Sequence, residues 1–331
     1  MLQIHFTPWK SFLELSRSVG FKITLISYER KPMKQVVCIG LAVLDHVFQL
    51  PKIPKFPVKS FASNYFQAGG GNAATAAVAL KLAGGQAVFW GRLGDDHNGD
   101  LILDELKEFG VDVRDVLRQQ GVKSGVSSVL VDDAGERLIT NYSDPKLNSD
   151  ANWLPLERLK ESNAVLVDFR WHEGAIKTLR SARELGMPAV LDADLTPEGL
   201  NEEVIRSATH VLFSQPALKE FAAGKSTEKA LNYAMDLNRG WVGVTEGSSG
   251  TRWLEKGVLR HFPAFEVKTV DTLGAGDVFH GIFALGLAEG NTEENSIYMA
   301  SAAAAIHCSR SGGRKSIPYR EEINNFLSNN K

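Results

Sequence analysis

Cysteine is scarce in this chain of 331 residues: only Cys38 and Cys308 occur. One sits in a strand-like run and the other in an alanine-rich stretch, far apart, so a disulfide scaffold is excluded as the basis of the fold. Both read as buried free thiols, which suits a reducing cytoplasm. Net charge is almost lacking as well. With 37 basic and 39 acidic residues the balance is −2, so no bulk field draws nucleic acid or an anionic membrane. No apolar run approaches the roughly 20 residues of a membrane-spanning helix. Internal repeats and low-complexity linkers are missing too. What is present, 44% hydrophobic and 23% charged residues, is ordinary for a globular enzyme with a sizeable core.

The opening stretch, "MLQIHFTPWKSFLELSRSVGFKITLISYERKP" (1–32), is broken by charges and lacks a signal-peptide core and cleavage site. Met33 stands just before "VVCIGLAVLD", the first run that reads as a buried strand. The fold is therefore expected to begin near Met33 and to form one domain over 33–331. Residues 1–32 read as an upstream-start artefact or a loosely attached arm, in preference to a targeting peptide.

From there strands and helices alternate, with one β-rich interruption. Residues 36–44 form a near-continuous apolar run, expected of a strand covered on both faces. Residues 47–68, punctuated by Pro and Lys, read as edge strands or a flap. "GGGNAATAAVALKLAGG" (69–85) is a glycine turn entering an alanine-rich helix. "SGVSSVLVDDAGERLITNY" (124–142) is a hairpin turning at Asp133-Ala134-Gly135. From 164 onward, strands "AVLVDF", "PAVLDAD", "HVLFS" and "WVGVTEG" alternate with helices near 174–185, 201–207 and 216–238. That order predicts right-handed β-α-β units, a mostly parallel sheet and an α/β fold.

Open parallel sheets bind ligands beyond the carboxyl ends of their strands. Asp45, Gly69-Gly70-Gly71, Asp168, Arg170, Asp192, Thr245 and the segment "DTLGAGDVFHG" (271–281) all follow strand-like runs. Each is also an acceptable turn residue by itself. Known phosphate loops mostly fail here. "SGGRKS" (311–316) has Lys315-Ser316 but Arg314 where a Walker loop requires glycine. Protein-kinase signatures are absent. "GGGNAA" fits the dinucleotide fingerprint only loosely, because the first sheet strand precedes it and carries only Gly40.

Residues 271–281 are more specific. A helix start gathers unpaired N–H groups and partial positive charge, which suits an anion. Amides of Leu273, Gly274, Ala275 and Gly276 would hold the oxygens of a transferring phosphate, and Asp277 would act as general base. Dipole complementation alone would explain Asp277 but not the small-residue turn before it.

Together these segments resemble the ribokinase/PfkB family of sugar kinases, over nearly the whole chain from about residue 36. "GGGNAATAAVALKLAGG" with "FWGRLGDDHNG" looks like the N-terminal signature, "VTEGSSG" the nucleotide-phosphate segment, "DTLGAGDVFHG" the C-terminal signature, and "CSRSGGRKSIP" the stretch closing the nucleotide site. The resemblance implies a three-layer α/β/α core with a small β lid drawn from 47–68 and 124–142. It implies Asp277 as base, Gly274, Ala275 and Gly276 as anion hole, and Thr245, Gly247, Gly250 and Gly313 on the ATP side. Asp45, Gly70 and Gly71 would meet sugar hydroxyls, and Asp271 sits where many members bind a monovalent cation, mainly with backbone carbonyls. ATP, Mg2+ and possible K+ are the implied cofactors, and a homodimer through the lid the implied assembly.

Two departures stand out. The family's Asn-x-x-Glu, tied to magnesium, is replaced by Ser214 and Ala217 in "FSQPALKE". Ala74 stands where asparagine is usual, with Asn72 nearby. Within the family the chain looks nearest to sulfofructose kinases, through the triple glycine, "DFRWHEGA" (168–175) and "GAGDVFHG". For a sulfonate, Arg170 would offer a planar fork, Lys59 a flexible cation and Asn141 a neutral donor. The expected reaction is phosphorylation of 6-deoxy-6-sulfofructose at its 1-hydroxyl. The alternatives are a kinase for fructose, ribose or a sugar phosphate, and a non-catalytic regulator on a kinase scaffold.

Overall fold

The structure, a computed structural model, describes residues 33–330. The reading of residues 1–32 falls outside them. Strand β1 (Gln35–Gly40) leads into β2 (Val43–Leu50), and β3 (Asn64–Gly70) enters helix α1 (Asn72–Leu82). Then come β4 (Gln86–Gly94), α2 (His97–Glu108), β5 (Leu117–Gln119) and the hairpin β6 (Gly125–Asp132) with β7 (Arg137–Tyr142). Regular alternation follows: β8 (Ala164–Asp168), α3 (His172–Glu184), β9 (Ala189–Ala193), α4 (Glu202–Ser207) and β10 (His210–Ser214). Helices α5 (Gln215–Phe221) and α6 (Thr227–Asn238) lead to β11 (Trp241–Thr245) and the hairpin β12 (Thr251–Glu255) with β13 (Val258–Phe262). The chain closes with α7 (Ala275–Ala288), α8 (Glu293–Cys308) and α9 (Arg320–Asn329).

Nine strands make one sheet in the order β13-β12-β11-β10-β9-β8-β1-β4-β5. It is parallel from β11 to β5, and only the β11–β12 and β12–β13 pairings are antiparallel. Alternate side chains feed two apolar layers. Val36 and Cys38 pack with α1, α7 and α8, whereas Val37 and Ile39 pack with α3, α5 and α6. This is the three-layer α/β/α core, and it follows from strands that are apolar at consecutive positions. Among the described residues no helix is long and apolar enough to cross a membrane.

Strands β3-β2-β6-β7 form a separate four-stranded sheet. The apolar run at 36–44 is consequently two strands in two sheets, not one. Gly40 marks the break: with φ +147, its backbone passes so close to Asp168 that a Cβ would stand 2.2 Å from the carboxyl. Asp168 in turn accepts from the amides of Leu41 (2.7 Å), Arg170 (2.8 Å) and Ala73 (3.2 Å). One buried carboxylate thus ties the turn between the sheets to the start of α1 and the loop after β8.

Candidate active site

Between the carboxyl ends of β8 to β11 and the smaller sheet lies a cleft of about 1040 Å³. It gathers Asp45, Gly70, Gly71, Asn141, Arg170, Thr245, Asp271, Gly274, Ala275, Gly276, Asp277 and Gly313. The register explains the convergence, since Asp168 lies opposite Asp192 and Ser214 opposite Thr245 across neighbouring parallel strands.

Asp277 sits in the first turn of α7, whose cap Gly274 adopts φ +78. That left-handed turn is easy for glycine and strained for other residues. Helix α7 is held against α1 by a close approach: a Cβ at Gly281 would stand 2.4 Å from the Ala76 carbonyl. Burial pushes the Asp277 carboxyl well above the usual carboxylate range, and the facing carboxylates of Asp192, Asp194 and Asp168 push it further, against Arg314. A carboxylate so placed holds a proton more strongly than one in water, the property a base needs.

The expected set of four phosphate-binding amides needs correction. Leu273 N donates to Asp271 Oδ1 (2.9 Å) and Ala275 N to the Thr272 carbonyl (3.2 Å). Those bonds shape the turn. The amides of Gly274 and Gly276 have no acceptor among the described residues, and a Cβ at Gly276 would meet nothing within 4 Å. Two amides of this turn, not four, are therefore free to meet a ligand.

Asp45 comes from β2 and is buried, with its pKa raised chiefly by that burial. Gly70 gives it room, because a Cβ there would stand 2.2 Å from Asp45 Oδ2. Asn72, at the start of α1, lines the cleft and donates to Asp192 Oδ2 at 3.2 Å. Ala74 is buried in the core, so the asparagine that this turn brings to the cleft is Asn72. Burial raises the Asp192 carboxyl to about 6, opposed by His280 at 3.5 Å. Ser214 donates to Asp194 Oδ1 (2.7 Å) and caps α5, while Ala217 is buried.

Arg314 was legible as a failed Walker glycine and as part of "CSRSGGRKSIP", with no role of its own, yet it is a central residue. Buried against the cleft, it donates to Glu105 Oε2 (2.7 Å), the Gly70 carbonyl (2.8 Å) and Thr75 Oγ1 (3.3 Å). It links α2, the end of β3 and α1, and it faces both Asp45 and Asp277. Its position after the alanine-rich α8 was the available signal. A buried guanidinium is costly unless paired, and Glu105 supplies the pair.

Three expected residues are not brought to the cleft. Lys59 lies in the segment between β2 and β3, its ammonium over the Phe61 ring at 5.6 Å. Gly247 and Gly250 are outside the lining. Gly250 is required by packing, for at φ +93 its Cβ would stand 2.1 Å from the Phe262 carbonyl. Arg170 does reach the cleft, where its charge favours the ionised form of Asp168. Trp171 is a packing residue, stacked on Trp153 and donating to the Ser149 carbonyl at 2.8 Å.

This geometry is that of a phosphotransferase, and comparison with known proteins agrees. Residues 33–320 match the pfkB family carbohydrate kinases, and the chain belongs to that family. It is 27% identical to the ribokinase of Bacillus subtilis (strain 168), over 89% of this chain and 100% of the relative. A crystal structure from Agrobacterium tumefaciens, provisionally described as a ribokinase, is 36% identical, with TM-score 0.86 over 90% of this chain and 98% of its own. Ribokinase from Thermotoga maritima is 27% identical, with TM-score 0.78 over 89% of this chain and 99% of its own. The protein is a carbohydrate kinase, an enzyme that phosphorylates an alcohol group.

Proposed function

We propose that the enzyme transfers the γ-phosphoryl group of ATP to a sugar hydroxyl, with 6-deoxy-6-sulfofructose, converted to its 1-phosphate, as the leading substrate. The observation that carries the reaction is Asp277 beside the unpaired amides of Gly274 and Gly276 at the mouth of α7. Asp277 takes the hydroxyl proton as the sugar oxygen bonds to the γ-phosphorus. The bond to the β–γ bridging oxygen breaks and ADP leaves. The two amides and the helix start stabilise the charge on the transferring group.

ATP lies on the Thr245 and Gly313 side, and the sugar lies under the smaller sheet near Asp45, Gly70, Gly71 and Asn72. That sheet acts as a lid and excludes water that would otherwise accept the phosphoryl group. Magnesium would arrive as MgATP and neutralise phosphate charge, held largely by phosphates and water, since Ser214 and Ala217 stand where the family's Asn-x-x-Glu is expected. The outer face of the lid exposes Tyr65, Leu138 and Tyr142, and a second copy of the chain covers it.

Arg170 and Asn141 both line the cleft, and they offer a planar fork and a neutral donor to the sulfonated substrate. Lys59 is withdrawn from that pocket by its place over Phe61. The second reading, a kinase for ribose or fructose, is favoured by the ribokinase relatives. ADP release measured with sulfofructose, fructose, ribose and fructose 6-phosphate separates the two. Arg170→Ala is expected to lower kcat/KM for the sulfonated sugar by about tenfold or more, the loss of one charge-assisted bond, while sparing neutral sugars. Equal losses on both would reject the sulfonate pocket.

A further inference from the structure

We infer that the His307 imidazole takes the place of a monovalent cation beneath the anion hole, so that phosphoryl transfer by this chain does not depend on K+. The inference rests on the reading of Gly274 and Gly276 as the anion hole. It starts from a misfit at Asp271, where the family resemblance implies a cation held mainly by backbone carbonyls.

Several of the oxygens around Asp271 already accept from donors of the chain itself. His307 Nε2 donates to the Leu273 carbonyl at 2.7 Å. The Cys308 carbonyl accepts from Val270 N (2.7 Å) and Asp271 N (3.2 Å). Asp271 Oδ1 accepts from Leu273 N at 2.9 Å. On the far side of the ring, His307 Nδ1 accepts from Ser316 Oγ at 2.8 Å, and that oxygen lies 2.7 Å from the Gly313 carbonyl. His307 and Ser316 are both buried. The ring therefore joins the turn before Asp277 to the loop carrying Ser316, and its Nε2–H takes the Leu273 carbonyl that a cation would use.

A cation at such a place would pull carbonyls together and so aim the following amides at the substrate. The imidazole does the same work through directed hydrogen bonds. With the Leu273 carbonyl fixed toward His307, the next peptide units are oriented and the amides of Gly274 and Gly276 stay turned to the cleft. His307 is in this sense a positioning residue: its Nε2 is 3.9 Å from the place where a Cβ on Gly274 would stand, and nothing requires it to touch substrate.

The test compares the full-length enzyme in KCl and in choline chloride at equal ionic strength, by melting temperature and by steady-state kinetics. The wild type is expected to melt at the same temperature in both salts, because a ligand shifts the melt only if it binds the native state. Its kcat should agree within about twofold, well below the effect of one misplaced anion-hole donor. A higher melting temperature in KCl, or activation by K+ of about tenfold or more, would overturn the inference.

His307→Ala supplies the converse. In choline its kcat should fall by about 100-fold, as for loss of an oriented amide, with a smaller change in KM. KCl should restore part of the rate and raise the melting temperature. A variant that keeps full kcat in choline would also sink the idea. If no sugar is turned over by the wild type, the kinase reading fails separately, and the melting comparison still decides whether a cation binds.

Discussion

The two sheets of this enzyme are built on different physical terms. Strands β8 to β10 of the large sheet are buried on both faces and bounded by helices, and they carry Asp168, Asp192 and Ser214 at their ends. The small sheet has one face on the cleft and one on solvent, and much of β7 is exposed. Beside it, Phe56 and Phe61 are 80% and 77% exposed in the segment between β2 and β3. The core side holds a fixed geometry for the transferring group. The small sheet, open to solvent on one face, has more freedom to adjust, and we propose that it closes over a sugar whose identity is read partly by Arg170 just after β8.

The sharpest way to break this division is at Asp277. Asp277→Asn should lower kcat by about 10²–10⁴-fold, the usual weight of a general base, with MgATP binding retained in equilibrium titration. Near-normal turnover would reassign the base. The same variant tests the electrostatics. Because the folded pKa of Asp277 is raised, the native state binds its proton more tightly than the unfolded chain. Stability contributed by this group is greatest below the unfolded carboxylate value and is lost as pH rises through the folded one. Asp277→Asn should therefore melt at a higher temperature than the wild type at neutral pH, and the gap should shrink on acidification. Over the same window the wild-type rate should fall with pH, at values above those of an ordinary carboxylate.

Arg314 is where core and lid meet, so its loss should blur the comparison. Arg314→Ala leaves Glu105 and Asp45 without their buried partner and should cost about 3–5 kcal/mol, measured by denaturant unfolding. A loss below about 1 kcal/mol would show the pair to be no stronger than a surface one. The smallest effect on the folded chain belongs to the lid surface. Leu138→Ser with Tyr142→Ser should change stability by only about 0.5 kcal/mol per site, yet convert a dimer to monomers in sedimentation. A wild type that is monomeric at all concentrations removes the lid interface.

The parallel core was readable because two-faced burial leaves an unmistakable mark: "AVLVDF" and "HVLFS" have no polar side to misplace. The lid was readable in outline only. Its strand β2 merges in sequence with β1, and Gly40, which separates them, looks like any glycine until Asp168 is seen behind it. Within the cleft, Asp277 and its turn announced themselves by local chemistry. Arg314 did not, since its partners Glu105, Gly70 and Thr75 come from distant parts of the chain. Lys59 misled for the converse reason, as its flexible stem found an aromatic face before it found the cleft.

By itself the sequence determined the order of elements, the family and the acid at the start of α7 that we propose as the base, because alternation, helix starts and small-residue turns are local. Only the tertiary structure decided which amides remain free, which carboxylates face one another, and that a histidine fills the place beside Asp271. Those matters depend on groups far apart in the chain that burial forces into contact, and no local pattern encodes their distance.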